Sequence, residues 1–331
     1  MVKPKIFVTQ PIAESALQRL STVMDVEIHP DTTRPISKND LLKGVGRNDY
    51  LFIRLSDTVD AEIMDANPNL KLIATMASTP GAIDVEAANH RKIPITGRKT
   101  QTIDTIFEEV ADLNFGLMIA VARRLPEAQE VIRTGIFPGD QSPYLEGFTI
   151  YNKTLGIVGL GQIGRAVARR ARGFGMRILY HSRNRYPEAE SEIGLSYKAL
   201  SELLKESDFV SLHPKLNPET HHMIGEKELS LMKTTSFLIN TSRGPIVDQD
   251  ALIRALQSKK IAGAALDVFE DERHPLPEEL LGLKNVVLTP HIGSSVIQKR
   301  EIMANAVVDK ILAFTEGKPL PDLLNPEIYK K

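Results

Sequence analysis

Short apolar runs alternate with amphipathic helical stretches through the first hundred residues. The apolar runs cover residues 5–9, 26–29, 50–54 and 71–75. Ser37 and Asp60 stand where helix N-caps are expected, ahead of stretches with apolar residues at helical spacing. This alternation predicts a parallel sheet flanked by helices.

The alternation returns after residue 150 with a glycine-rich turn. Residues 155–180 predict a buried strand, a helix from Gln162 to Phe174 and a second strand. Gly159, Gly161 and Gly164 have the spacing G-x-G-x-x-G. One glycine permits the turn, one lets the backbone approach a pyrophosphate, and one lets helix pack on strand. Because the helix N-terminus attracts anions, the unit predicts a dinucleotide site.

Further buried strands follow at residues 209–212, 236–239, 263–266 and 285–288. With the two strands of the glycine-rich unit they make six, enough for a complete dinucleotide-binding fold. The pattern thus predicts an α/β fold class with two doubly wound domains on parallel sheets.

Two long helical patterns flank this second region. One runs from about 104 to 134, with a break expected at Pro126 and a stop at Gly135. The other runs from about 295 to 314, and we expect it to pack on the first domain. We therefore predict a discontinuous substrate-binding domain at 1–100 and 296–331, and a dinucleotide-binding domain at 101–295.

Composition narrows the classes of partner. The net charge of −1 over 331 residues gives no general attraction to nucleic acid or to a membrane surface. The absence of cysteine excludes disulfides, thiolate metal sites and a cysteine nucleophile. The N-terminus lacks the apolar segment of a signal peptide, and no segment is long enough to span a bilayer. We expect a cytoplasmic protein.

Polar residues follow three predicted strands directly: Arg243, Asp267 with Glu272, and His291. Taken singly, each has an ordinary structural explanation as a turn, a cap or a solvated side chain. Together they lie on consecutive strand ends beside a nucleotide motif, at the edge where doubly wound sheets bind ligands. Histidine suits proton transfer near neutral pH, and a guanidinium suits a carboxylate.

The chain resembles the D-isomer-specific 2-hydroxyacid dehydrogenases over essentially its whole length. The matching stretches are T-L-G-I-V-G-L-G-Q-I-G, I-N-T-S-R-G-P-I-V-D, A-A-L-D-V-F-E-D-E and L-T-P-H-I-G-S. The resemblance implies two Rossmann-like domains with the active-site cleft between them. It also implies a catalytic trio of Arg243, Glu272 and His291. Within the family, the chain looks closest to the reductases of glyoxylate, hydroxypyruvate and 2-ketogluconate.

The trio suggests a division of labour. A carboxylate beside the imidazole favours its protonated form, so Glu272 is expected to pair with His291. His291 would protonate the carbonyl oxygen of a 2-oxo acid as hydride arrives at carbon. Arg243 would hold the substrate carboxylate, and Asp267 would accept a hydrogen bond from the nicotinamide amide. The scheme needs no metal.

The expected coenzyme is NADP(H), with NAD(H) possible. An acidic residue about 20 positions past the glycine motif would favour NAD, but residues 180–185 read Y-H-S-R-N-R. Ser182, Arg183 and Arg185 can contact a 2′-phosphate; the alternative is a basic exposed loop. The full cofactor-binding prediction comprises Gly159, Leu160, Gly161, Gln162, Ile163, Gly164, Ser182, Arg183, Arg185, His213, Thr241, Asp267, His291 and Gly293.

The predicted substrate-binding set combines a loop with three side chains. Main-chain N–H groups of Ser78, Thr79 and Gly81 are expected to bind a carboxylate, as the family uses this loop. Thr79 stands where the family usually has glycine. The side chains are those of Arg54, Arg243 and His291. We expect a polar 2-oxo acid to be preferred over an apolar one.

Oligomeric state is predicted from the helical pattern at 104–134. Its apolar residues exceed what one buried face requires: Phe107, Phe115, Leu117, Met118 and Val121. With the family resemblance, this predicts a homodimer. The alternative is a helix fully buried within one subunit.

Two other functions stay open at this point. An NAD(P)-sensing interaction protein of the corepressor type would keep the same fold and cofactor motif. A 3-phosphoglycerate dehydrogenase is the other, and we expect it to be the weaker candidate because we expect no regulatory domain after residue 331.

Overall fold

The computed structural model describes residues 3–31, 33–54, 57–77, 79–97, 106–139, 143–272, 274–320 and 323–329. The chain divides into two compact units, Met1–Asp104 with Ser295–Lys331 (unit 1) and Thr105–Ser294 (unit 2). Strands in the described residues are β1 (Lys5–Val8), β2 (Asp25–Ile28), β3 (Tyr50–Ile53), β4 (Leu72–Thr75), β5 (Ile95–Thr96), β6 (Thr154–Val158), β7 (Arg177–His181), β8 (Leu195–Tyr197), β9 (Phe209–Leu212), β10 (Phe237–Asn240), β11 (Gly263–Leu266) and β12 (Val286–Leu288).

The α-helices connect these strands and cover the sheets. They are α1 (Glu14–Val23), α2 (Lys38–Val45), α3 (Ala61–Asp65), α4 (Val85–His90), α5 (Ile106–Ala122), α6 (Leu125–Arg133), α7 (Gln162–Gly173), α8 (Pro187–Ile193), α9 (Leu200–Glu206), α10 (Glu226–Leu231), α11 (Gln249–Gln257), α12 (Glu278–Leu281) and α13 (Ile297–Thr315). The predicted caps are present: Ser37 accepts a hydrogen bond from the Asp40 amide, and Asp60 accepts one from the Ile63 amide. No helix in the described part of the chain is long and apolar enough to cross a membrane.

Unit 1 is built on a parallel sheet in the order β2-β1-β3-β4-β5. Four of these strands were predicted. The fifth, β5, is only two residues long and has too short an apolar run to mark a strand. Helix α13 contributes Val307 and Ile311 to the core on one face of this sheet. From β1 the chain adds β2 on one side and β3 on the other, so the switch point of the strand order lies between β1 and β3. Sheets of this kind bind ligands at that point.

Unit 2 is built on a parallel sheet in the order β12-β11-β10-β9-β6-β7-β8. Its described residues form seven strands, so the prediction of six was wrong. The additional strand, β8, is a three-residue edge strand in which only Leu195 is buried, and it therefore lacks a run of apolar positions. The order reverses between β9 and β6, directly at the glycine-rich turn. The predicted fold class, two α/β domains on parallel sheets, is confirmed.

The long helical pattern at 104–134 forms two helices, α5 and α6. The chain breaks at Arg124, whose φ is +54°, and not at Pro126. Pro126 instead lies in the first turn of α6, where no hydrogen bond needs its missing N–H. The predicted start at 104 lies outside the described residues.

Candidate active site

The glycine-rich turn has the geometry that a pyrophosphate requires. Gly159 has a φ of +93°. A Cβ on Gly164 would lie 2.3 Å from the Gly159 carbonyl oxygen, so only glycine permits this contact of helix and turn. At Gly161 a Cβ would meet nothing within 4 Å, and this residue begins α7 without a side-chain cap. The open space and the unpaired N–H groups of a twelve-residue helix therefore fit a dinucleotide phosphate.

A buried polar network lies across the point where the strand order reverses. The Asn114 amide donates to the Ser211 hydroxyl (2.9 Å) and to the Thr241 hydroxyl (3.2 Å). Ser211 Oγ in turn lies 2.8 Å from His213 Nε2. The Nδ1 atom of His213 is buried and has no hydrogen-bond partner in the part of the chain that the structure describes. Burial lowers the pKa of His213 to about 3, which favours the neutral imidazole near pH 7.

Two arginines that the sequence analysis placed together in the coenzyme site, Arg183 and Arg185, follow β7 and differ in their ion pairing. Arg185 forms a two-pronged ion pair with Glu190, Nε to Oε1 and Nη2 to Oε2, both at 2.8 Å. The Arg185 guanidinium, followed by the Tyr180 hydroxyl, lowers the pKa of Glu190. Arg183 is exposed and has no ion pair in the described part of the chain. One of the two arginines predicted to contact the phosphate is therefore already paired with a protein carboxylate.

The predicted catalytic residues follow three neighbouring strands of unit 2. Arg243 follows β10, Glu272 follows β11 and His291 follows β12, and these strands are adjacent in the sheet. Because all strands are parallel, the three residues follow the same edge of the sheet.

His291 and Glu272 form a direct hydrogen bond. The distance from Nδ1 to Glu272 Oε2 is 2.7 Å, and both side chains are 37% exposed. An ionised carboxylate only accepts, so Nδ1 carries the proton. The other ring nitrogen, Nε2, is left without a partner in the described residues and is available to a substrate.

Asp267 holds the loop that carries His291. Its carboxylate is 1% exposed and accepts three hydrogen bonds, from the Thr289 hydroxyl (2.6 Å), the Ile292 amide (2.8 Å) and the Gly293 amide (2.9 Å). Its carbonyl accepts from the His291 amide at 2.9 Å. His291 has a φ of +54°, a conformation unusual for a side-chain-bearing residue. The expected contact of Asp267 with a nicotinamide amide stays a prediction, and its observed partners are protein groups.

The Arg243 turn packs directly against the chain that leads to Glu272. A Cβ on Gly244 would lie 1.8 Å from the Phe269 carbonyl oxygen, which only a glycine permits. The side-chain amide of Asn240 donates a hydrogen bond to the Arg243 carbonyl at 3.0 Å. The Arg243 side chain is exposed, and the one acceptor of its guanidinium among the described residues is the Ser242 carbonyl. The backbone is therefore fixed while the charged end stays free.

In unit 1, the predicted carboxylate loop follows β4. Thr79 and Gly81 are exposed, and Gly81 has a φ of +66°. Ser78 lies outside the described residues. Arg54 follows β3, and its Nε lies 3.4 Å from Oδ1 of the buried Asp57.

The apolar residues used to predict a dimer are mostly buried within their own chain. Phe115, Leu117, Met118 and Val121 are 0–6% exposed, and Phe107 is partly buried. That basis for the dimer was wrong, because α5 packs against α7 and the sheet. Exposed large apolar side chains come later, on α6 and in the segment after it: Leu125, Ile132, Ile136, Phe137, Tyr144, Phe148 and Tyr151.

Some residues that shape the site were missed from the sequence. Thr289 and Gly244 lie inside stretches already singled out, beside His291 and Arg243, and only the packing shows what they do. Asn114 lies far from the other site residues in sequence, and its only signal is a polar residue within an apolar helix.

The family profile described as "D-isomer specific 2-hydroxyacid dehydrogenase, NAD binding domain" matches residues 115–293. A glyoxylate reductase of Thermococcus litoralis is 46% identical over 331 residues, 99% of this chain and 98% of the relative. The TT0316 protein from Thermus thermophilus has a TM-score of 0.81 at 40% identity, covering 96% of this chain and 99% of that one. An NADPH-dependent glyoxylate/hydroxypyruvate reductase from Sinorhizobium meliloti, solved with NADP and malonate, has a TM-score of 0.73 at 30% identity, covering 98% of both chains.

Fold and site thus define a nicotinamide-dependent oxidoreductase. The chain belongs to the D-isomer specific 2-hydroxyacid dehydrogenase family, as the sequence motifs indicated. It falls in the branch of the glyoxylate reductases and is an NAD(P)-dependent 2-hydroxyacid dehydrogenase.

Proposed function

We propose that this enzyme is an NADPH-preferring reductase of small 2-oxo acids of the glyoxylate, hydroxypyruvate or 2-ketogluconate type, forming D-2-hydroxy acids. The observation that carries the proposal is the 2.7 Å hydrogen bond between His291 Nδ1 and Glu272. It leaves Nε2 without a partner among the described residues, at the sheet edge where Arg243 also lies, with β11 between the two strands. The names of the relatives support the substrate class.

His291, Glu272 and Arg243 each have a separate role in the proposed reduction. A reduced nicotinamide, when bound, supplies the hydride for the carbonyl carbon. His291 donates the Nε2 proton to the carbonyl oxygen, and Glu272 stabilises the imidazolium before transfer. Arg243 binds the substrate carboxylate through its free guanidinium and polarises the carbonyl. In the oxidation direction His291 takes the proton back.

The proposed preference for NADPH rests on Ser182 and Arg183 after β7. Ser182 is half-buried at the strand end, and Arg183 is exposed without a carboxylate partner among the described residues. An acid that would repel a 2′-phosphate is absent from residues 180–185. The pairing of Arg185 with Glu190 leaves Arg183 as the principal cationic contact.

The substrate class is tested with a panel of 2-oxo acids. We expect higher kcat/KM for glyoxylate, hydroxypyruvate and 2-ketogluconate than for the apolar 2-oxoisocaproate. Thr79→Gly removes an exposed hydroxyl from the proposed carboxylate loop, so it should narrow this preference. If 2-oxoisocaproate is the best wild-type substrate, the proposed substrate class is wrong; if Thr79→Gly leaves the ranking unchanged, the role of the loop is wrong.

The proposed homodimer now rests on a different surface from the one first considered. Phe137 is 76% exposed, Tyr151 65% and Tyr144 60%. Large exposed apolar groups of this kind mark interfaces, and a second copy of the chain is the proposed occupant. Light scattering at micromolar concentration should give twice the mass of the chain, and Phe137→Glu should reduce it. A monomeric wild type would contradict the proposal.

A further inference from the structure

The carboxyl edge of the unit 1 sheet contains a cavity at the point where its strand order reverses. Strands β1 and β3 are neighbours there, while β2 lies outside β1 and β4 outside β3. Residues following β1 and β3 line a cavity of about 260 Å³. Open parallel sheets bind ligands in such a crevice. The position predicts a ligand site within unit 1 itself.

The size of the cavity restricts the ligand to a small molecule. Liquid water occupies about 30 Å³ per molecule, so the cavity has room for roughly nine water-sized groups. Its polar lining includes Thr9, Gln10 and Ser295, and two guanidiniums face it, those of Arg54 and Arg300.

Arg54 is held by a buried carboxylate. Asp57 is 2% exposed, and its Oδ2 accepts hydrogen bonds from the Thr9 hydroxyl (2.5 Å) and the Arg54 amide (2.9 Å). Its Oδ1 faces Arg54 Nε at 3.4 Å. Asp57 therefore fixes the Arg54 backbone and offsets the charge of its guanidinium, although no hydrogen bond joins Oδ1 to Nε among the described residues.

Arg300 has no such counter-charge. Its guanidinium donates to the Ser295 hydroxyl at 2.8 Å, and no carboxylate of the described chain lies within ion-pair distance. Burial lowers the pKa of Arg300, although the group stays charged near pH 7. Arg91, hydrogen-bonded to Asp65, shows the opposite shift in its pKa.

The N-terminus of helix α13 adds to the positive electrostatic potential at the cavity. Arg300 lies in the first turn of this 19-residue helix, which begins without a side-chain cap or an acidic residue in that turn. The partial positive charge of the helix N-terminus therefore adds to that of Arg300.

We propose that this cavity binds a compact anion, a carboxylate or a phosphate group, through Arg300 with Arg54 beside it. Two sources share this chemistry. The anion is either the second acid group of a 2-oxo acid substrate, which rests on the proposed function, or a separate small anion.

Binding is tested by calorimetry with inorganic phosphate and with malonate on the full chain. Arg300→Gln removes the unpaired charge and should weaken binding about tenfold or more. Arg47→Gln, which removes a surface arginine paired with Glu27 outside the cavity, is the matched control and should bind like the wild type. Arg300→Met serves the same purpose if the Gln variant melts early. Absence of binding to the wild type, or equal affinity in the Arg300 variant, overturns the proposal.

Kinetics then distinguish the two sources. If the anion belongs to the substrate, Arg300→Gln lowers kcat/KM for 2-oxoglutarate far more than for hydroxypyruvate. If it is a separate anion, phosphate changes the rate with glyoxylate in a saturable way that Arg300→Gln abolishes. Calorimetry needs no turnover, so a failure of the reductase proposal would not be mistaken for a failure of this one.

Discussion

Polar side chains at the carboxyl edges of the two parallel sheets differ in whether protein groups pair with them. In unit 2, His291 is held by Glu272, and its loop is held by three hydrogen bonds to the buried Asp267. In unit 1, Arg300 faces a cavity with no carboxylate partner among the described residues. The geometry around His291 is completed by protein groups, whereas the charge of Arg300 is left for a ligand.

The difference reflects what each edge has to do. A general acid must be held in a fixed orientation, because small displacements from the reacting geometry cost much of the rate. A binding group gains by keeping its charge unpaired until the ligand arrives, since a pre-formed ion pair would first have to be broken. The same contrast recurs inside unit 2, between Arg185, which is paired with Glu190, and Arg183, which has no ion pair within the described residues.

The largest expected effect comes from the histidine itself. His291→Asn removes the proton donor and should lower kcat for 2-oxo acid reduction on the order of 10²–10⁴-fold. Coenzyme affinity, measured by fluorescence titration, should change little. The matched control is His90→Asn on α4, an exposed histidine outside the site. A His291→Asn enzyme with near wild-type turnover would assign the proton transfer elsewhere.

The two arginines after β7 provide the next comparison. Arg183→Ala should weaken NADPH binding on the order of tenfold or more, while NADH binding changes little. Arg185→Ala should have the smaller effect on NADPH, because that guanidinium is already bound to Glu190. Coenzyme dissociation constants for the three proteins test this. Equal losses in both variants, or equal use of both coenzymes by the wild type, would refute the assignment.

A smaller effect is expected from loosening the loop that carries His291. Thr289→Val keeps the shape but removes one hydrogen bond to Asp267, and should lower kcat about tenfold while KM changes little. Thr289→Ser should restore most of the rate because it restores the hydroxyl. Thr154→Val at the start of β6 is the control for a threonine substitution outside the site. A loss in KM alone, or no rescue by serine, would mean that the loop is not positioned in this way.

Much of this arrangement was predictable because it depends on local patterns. The glycine turn, the caps at Ser37 and Asp60, and the strand ends that carry Arg243, Glu272 and His291 follow from short-range residue preferences. The short strands β5 and β8 did not, since two or three residues carry too little pattern.

Contacts between residues distant in sequence were also beyond prediction. The burial of α5 within its own unit and the contacts of Arg300 with the cavity depend on packing. In the sequence, Arg183 and Arg185 look alike, and only the position of Glu190 separates them.

The central claim is that His291, Glu272 and Arg243 act together as a reductase site, and turnover tests it most directly. The wild-type chain, supplied with NADPH and glyoxylate or hydroxypyruvate, should oxidise the coenzyme catalytically and form D-glycerate from hydroxypyruvate. His291→Asn should bind NADPH yet show almost no turnover. Tight NADPH binding by the wild type with no turnover on any 2-oxo acid of the panel would contradict the account and favour a sensing role.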